Sequence, residues 1–248
     1  MIDRTLALHG KKWTRVSGLS VFRLPVANSW IEQPIFFLDF EGSQLSGVLE
    51  YGVVEVKGGA IVSTHTRLCQ ATGAVREEDV AVHGLNARDV ALWAPFADEW
   101  EFFARIRERG PLAAHYAGVE NSLLKSVWPY PRNSPDFARP GERMIEWGPW
   151  IDSARLYAQL YPEIGTGRLE MLVGKCGLQR ELDALALQHC PAERRRFHAA
   201  LYDALAGALL LVSLAREPRL AELSVMQLLA LSTLDGEKRD ALQQGELF

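Results

Sequence analysis

Asp39 and Glu41 close an otherwise apolar run, Pro34-Ile-Phe-Phe-Leu-Asp-Phe-Glu41. Residues i and i+2 of a strand share a face, so the two carboxylates sit side by side, and their repulsion grows as water is withdrawn. A divalent cation held by hard oxygen ligands relieves that conflict. A solvated strand end is the other reading, and the pair alone does not choose. A second acid–base pair, His198 and Asp203, lies in Phe197-His-Ala-Ala-Leu-Tyr-Asp203. On one continuous helix a spacing of five separates two side chains by about 140°. They converge only if His198 precedes the first helical turn and Asp203 lies within it; a capping His and a solvent-facing Asp are the alternative. Asp203 stands in a run of Ala and Leu, so its carboxylate calls for a partner. Glu120 follows the short run Leu112-Ala-Ala-His-Tyr116, near a helix start where the helix dipole favours an acid in any case.

The elements that must position these groups can be read from hydrophobic pattern. Residues 34–41, 48–56 and 60–66 read as three consecutive strands. Lys57-Gly-Gly59 makes the last pair an antiparallel hairpin. Residues 77–109 read as helical, with Trp100, Phe103 and Ile106 on one face and Gly110-Pro111 as the stop. A short buried strand follows at 112–116 and a helix at 119–127. Residues 128–150 are irregular and rich in Pro and Trp, longer than an ordinary connection. Ile151-Asp-Ser153 opens a helix with Asp152 or Ser153 as cap. Further helix is expected at 167–176, 181–187, after Arg194 and at 220–231, and a short strand at Ser20–Leu24. Strands first, then a strand among helices, indicate a mixed sheet with helices packed on it.

Composition sets bounds. With 27 basic and 31 acidic residues the formal charge is −4, which opposes tight nonspecific coating of nucleic acid and leaves a local site open. Three scattered cysteines make no disulfide framework. The N-terminal run has no apolar core of a signal peptide, and no stretch reaches about 18 apolar residues. A cytoplasmic protein without a membrane partner is the expectation.

The order of the motifs is more informative than any one of them. Phe37-Leu-Asp-Phe-Glu-Gly42, Val80-Ala-Val-His-Gly-Leu85, Ala114-His-Tyr-Ala-Gly-Val-Glu120, Ile151-Asp-Ser153, Leu169-Glu-Met-Leu-Val173 with Cys176-Gly-Leu178, and His198 to Asp203 succeed one another. In this order the chain resembles the DnaQ-like (DEDDh) 3′–5′ exonucleases over about residues 35–214. The resemblance implies an α/β, ribonuclease-H-like mixed five-stranded sheet flanked by helices. It also implies an N-terminal extension (1–33), an exonuclease domain (34–214, with 128–150 as an insertion) and a C-terminal helical tail (215–248).

The resemblance implies phosphodiester hydrolysis with two Mg²⁺ or Mn²⁺ ions, releasing nucleoside monophosphates from single-stranded DNA or RNA 3′ ends. Asp39 would bridge both ions, and Glu41 and Asp203 would hold the one that carries the nucleophilic water. His198 would be the general base. Glu120 stands where the family has Asp, one methylene longer, and would act on the second ion. Phe40, Gly42, His83, Leu85, His115 and Tyr116 fall on the substrate side, although the strand spacing of Phe40 also fits a core role and His83 also reads as a plain turn residue; Tyr116 replaces the Asn often found there. Arg194-Arg-Arg196 is expected to meet phosphates, a solvated helix start being the other reading. Trp128, Tyr130, Trp147 and Trp150 are expected to cover the core or a dimer contact rather than stack on bases. A homodimer is expected from family habit. The alternative is an attenuated exonuclease-fold module that binds nucleic acid or a protein partner, motivated by Glu120.

Overall fold

The computed structural model describes residues 29–165 and 167–233, together with the backbone pairing of Ala7–Leu8 with Lys11–Lys12. The strand expected at Ser20–Leu24 and the chain beyond 233 lie outside the described residues. A five-stranded sheet runs in the order β3-β2-β1-β4-β5, where β1 is Ile35–Ser43, β2 Gly47–Lys57, β3 Ala60–Leu68, β4 Leu112–Ala114 and β5 Trp150–Asp152. The pairs β1/β2 and β2/β3 are antiparallel, and β1/β4 and β4/β5 are parallel. The near-continuous apolar run of β1 fits its central place, since a strand covered on both faces cannot alternate. Edge strand β3 holds no fully buried residue and exposes Ala60, Val62, Ser63 and His65. Gly58 and Gly59 have φ of +65° and +71°, the left-handed pair that closes a two-residue hairpin.

The helices are α1 (Glu77–His83), α2 (Trp100–Arg109), α3 (Ala117–Val127), α4 (Ser153–Leu160), α5 (Leu169–Lys175), α6 (Gln179–His189), α7 (Ala200–Ala215), α8 (Pro218–Ala221) and α9 (Val225–Leu231). The continuous helix expected over 77–109 is two. Gly84, at φ +77°, caps α1 in the left-handed conformation, and turns fill the gap before a 3₁₀ segment at Phe96–Glu99 leads into α2. Ile151-Asp-Ser153, read as a helix start, is also the end of β5. Asp152 serves both elements, capping α4 through the N–H groups of Ala154 and Arg155.

Helix α7 is buried on all sides, and Asp203 is the charged residue within it. It crosses the face of β1 and β2. Two glycines permit this approach: a Cβ on Gly207 would lie 2.1 Å from the Phe37 ring, and one on Gly52 2.4 Å from the Ala200 carbonyl. The main cluster of buried side chains joins Trp30, Phe37, α7, and Leu223, Leu228 and Leu229. The Trp30 indole donates to Leu220 O at 2.7 Å, so residues on both sides of the expected 34–214 core take part in its packing. On the other face Phe36, Leu38 and Phe40 meet Phe96, Phe103 and Trp147.

The 128–150 segment is organised around a buried cation. Arg107 of α2 donates from Nε to Glu146 O (3.1 Å), from Nη1 to Pro135 O (2.9 Å) and from Nη2 to Gly148 O (2.9 Å). Trp147 is fully buried and bonds Trp128 O through its indole. Trp128 packs against Phe96, Phe103, Trp100 and Trp147, and Trp150 rests on the same cluster. Tyr130 is exposed.

Candidate active site

Strand β1 carries Asp39 and Glu41 to the edge of the α7 face, and its ladder with β2 slips by a bulge between Glu41 and Gly42. In register, Asp39 faces Gly52 and Glu41 faces Glu50. The missing side chain at Gly52 lets the start of α7 settle on β2, and this brings Asp203, in its first turn, over the strand carboxylates. Ligand atoms of Glu41, His198 and Asp203 all lie within 4.8 Å of one another. This is the group of three or more such donors found among the described residues, and Asp39 and Glu120 are not members of it.

The four carboxylates nevertheless share one electrostatic environment. Burial pushes the Asp39 carboxyl well above its ordinary range, and the charges of Glu120, Asp203, Glu41 and Glu50 push it further. Glu41 is raised to about 8 by burial, then by Asp203 and Glu50, with Arg194 and Arg196 pulling the other way. Glu120 is raised to about 8 by burial and Glu41, offset in part by the backbone N–H of Phe40. Asp203 is raised to about 7 by burial, offset by the His198 N–H, which donates to its Oδ2 at 3.0 Å. Asp203 Oδ1 and Glu120 Oε2 are buried without a hydrogen-bond partner. Buried polar atoms in folded proteins rarely lack one. Two orphaned carboxylate oxygens in a cluster this acidic suit hard divalent cations.

His198 sits where the spacing required, two residues before α7, at φ +62°. Its side chain is exposed beside Glu41 and Asp203. Among the described residues Tyr116 is the other non-glycine one of positive φ, +60°, and its N–H points to Asp152 Oδ1 at 3.3 Å. This fold-back at the N-terminus of α3 turns Glu120 toward β1.

The residues expected on the substrate side lie in different surroundings. The Phe40 side chain points to the opposite face and packs on Phe96 and Phe103 at centroid distances of 5.4 and 5.8 Å; neighbouring strand residues face opposite ways, so its ring cannot accompany Asp39 and Glu41. Leu85 is buried against Leu49 and Val90. His83 is buried, accepts the Leu85 N–H on Nδ1 at 3.1 Å, and leaves Nε2 without a partner. His115 is held by Ser153 Oγ at 2.9 Å and by Gly167 O at 3.2 Å. The carbonyl must accept from Nε2–H, so Nδ1 accepts from the serine; burial lowers the His115 pKa, in keeping with a neutral ring. The Tyr116 ring is half exposed, with its hydroxyl at Gly167 O. Gly42 lines a groove of about 400 Å³ with Ser43, Gln44, Gly118 and Val119, close to the carboxylates.

The arginine run is also divided. Arg194 is buried and bonded to Glu50 rather than free for phosphate. Arg195 bonds Cys190 O, and Arg196, exposed, donates to His83 O. Only Arg196 is both exposed and close enough to Glu41 to lower its pKa. Glu50 was not legible from spacing: it lies in an apolar run with no motif, and only the β1/β2 register sets it opposite Glu41.

No protein-family model matches the chain, and no curated protein does. Solved structures do. One is an exonuclease X in complex with 5′-overhanging duplex DNA, at 22% identity, covering 80% of this chain and 99% of that one, with a TM-score of 0.55. Another is the nuclease domain of 3′hExo, a DEDDh family member bound to rAMP, at 15% identity, covering 79% and 97%, TM-score 0.55. A third is E. coli exonuclease I in complex with a dT13 oligonucleotide, at 13% identity and TM-score 0.55, where the match takes in 76% of this chain and 42% of the larger one. The mixed sheet, its strand order and these likenesses agree: the chain has the ribonuclease-H-like fold of these exonucleases.

Proposed function

We propose that this protein is a divalent-cation-dependent 3′–5′ exonuclease that hydrolyses the terminal phosphodiester of single-stranded DNA or RNA. The observation that carries the reading is the approach of His198 to Glu41 and Asp203 within 4.8 Å, beside two further buried carboxylates. An imidazole is the side chain most often used as a general base near neutral pH. Its exposure leaves it open to a water at the scissile phosphate. Asp39, Glu41 and Asp203 would hold the cations, with Glu120 contributing its free oxygen. Bound there, Mg²⁺ or Mn²⁺ supplies charge neutralisation for the attacking and leaving oxygens of an in-line displacement. Asp203 does two things with one carboxylate: Oδ2 orients the His198 backbone and Oδ1 remains available. The groove at Gly42 and Val119 gives a 3′-terminal nucleotide a neutral, partly apolar surface beside the acids.

The test is release of mononucleotides from a 3′-labelled strand with Mg²⁺ or Mn²⁺, across single- and double-stranded DNA and RNA. Folded protein yielding no product with either metal on any substrate overturns the proposal.

One observation favours the attenuated alternative. Glu120 lies outside the tight donor group, and its free oxygen is buried. Glu120→Asp separates the two readings: if that change creates activity absent from the parent, the natural protein is a binding module; if the parent is active and the change leaves it so, the enzyme reading stands.

A further inference from the structure

We infer that Arg194 is a positioning residue for His198, acting through a buried ion pair with Glu50; the inference rests on the exonuclease reading above. Both partners are buried, Glu50 at 3% exposure and Arg194 at 8%. Arg194 Nε donates to Glu50 Oε1 at 3.1 Å, and Nη2 donates to Oε2, a two-pronged contact. The remaining donors go to backbone carbonyls: Nη1 to His83 O at 2.6 Å and Nη2 to His198 O at 3.3 Å. Glu50 Oε2 also accepts the N–H of Ala200, the first residue of α7, at 3.0 Å. One pair therefore ties β2, the end of α1, the His198 peptide and the start of α7 together.

The consequence falls on a strained residue. His198 holds φ +62°, a conformation that residues other than glycine keep only when their surroundings enforce it. Here both ends of the residue are tethered, the N–H by Asp203 Oδ2 and the carbonyl by Arg194. Release of the carbonyl removes half of that constraint and lets the backbone relax, carrying the imidazole away from Glu41 and Asp203. Stability alone does not call for this arrangement, because well-packed apolar groups usually serve as well as a buried ion pair. A guanidinium offers something they lack, a planar fork of donors at fixed angles. Its two backbone acceptors belong to His83 and His198.

The experiment compares Arg194→Met/Glu50→Gln and Arg194→Lys with the parent. The double variant leaves no unpaired buried charge and keeps an acceptor for the Ala200 N–H. Readouts are kcat and KM on a 3′-labelled strand with Mn²⁺, the melting transition, and the ¹H–¹³C resonances of the His198 ring. The double variant is expected to melt cooperatively and to lose roughly 10- to 100-fold in kcat with KM within about twofold, as misplacement of a reacting group does. Its His198 resonances shift. Arg194→Lys, which restores charge but not the fork, is expected to stay low in kcat with a near-parental melt. Parental kcat and unmoved His198 resonances in a folded double variant overturn the inference. If the double variant does not fold, parental kcat in a folded Arg194→Lys overturns it, and a low kcat there supports it. An inactive parent refutes the exonuclease reading instead, and the His198 resonances still decide whether Arg194 positions that ring.

Discussion

At the scale of single residues, the site is a set of acids whose folded surroundings oppose their charge. Asp203 shows this most plainly, since it sits in a helix buried on all sides and is raised to about 7. Replacing it with Asn keeps an oxygen for the His198 N–H and removes the charge. Asp203→Asn is therefore expected to abolish nuclease activity while raising the melting temperature of metal-free protein near pH 8. A gain of about 2–4 °C should accompany each kcal/mol of relieved repulsion. A calorimetric scan and the 3′-label assay on one preparation check both halves. A lower melting temperature would mean that the carboxylate is stabilised by something other than the cations assigned to it.

At the scale of elements, the long 128–150 segment gains its order from α2 rather than from its own pattern. Arg107 holds carbonyls at three separated points of it, and burial pulls the Arg107 pKa down to about 10. Arg107→Ala leaves three acceptors without their shared donor, and hydrogen bonds to a charged group contribute about 1.5–3 kcal/mol each. The expected result is a loss of several kcal/mol and new protease cleavage between residues 132 and 148, read by limited proteolysis and mass spectrometry. Unchanged cleavage would mean that the Trp100, Trp128 and Trp147 cluster orders the segment without the arginine. Much at this scale was legible beforehand: the three leading strands, the Gly-Gly hairpin and the Asp152 cap each follow from local chemistry. β5 was not, because three residues, Trp150–Asp152, carry too little pattern and become a strand only by pairing with β4.

At the scale of the whole molecule, the raised carboxylates couple stability to pH and to metal. Glu41 and Glu120 titrate near 8 when folded but near 4.3 when unfolded. Between those values the folded state binds more protons than the unfolded state, so stability falls as pH rises. The contribution is complete below about pH 4 and is lost as pH climbs through about 8. Buried His83 and His115, with lowered pKa values, act oppositely, but only near and below about pH 6.5. Metal-free protein is thus expected to melt lower at about pH 8.5 than at about pH 7. Glu41→Gln should flatten that slope, and Mn²⁺ should raise the melting temperature more at the higher pH. Equal slopes for parent and variant would show that Glu41 is already ionised in the folded protein.

The sequence by itself determined the three leading strands and their Gly-Gly hairpin, and it singled out Asp39, Glu41, Glu120, His198 and Asp203 as candidates through residue type, spacing and motif order. It also required His198 to stand before the first turn of α7, since only that geometry lets a spacing of five converge. Tertiary structure alone decided the rest. Gly52 and Gly207 admit α7 to the sheet, a matter of space between elements far apart in the chain. The Phe40 and Leu85 side chains pack in the core, which their motifs alone did not decide. Arg194 is bound to Glu50, 144 positions away. A charged side chain's partner is set by what the fold brings against it, and no local pattern records that distance.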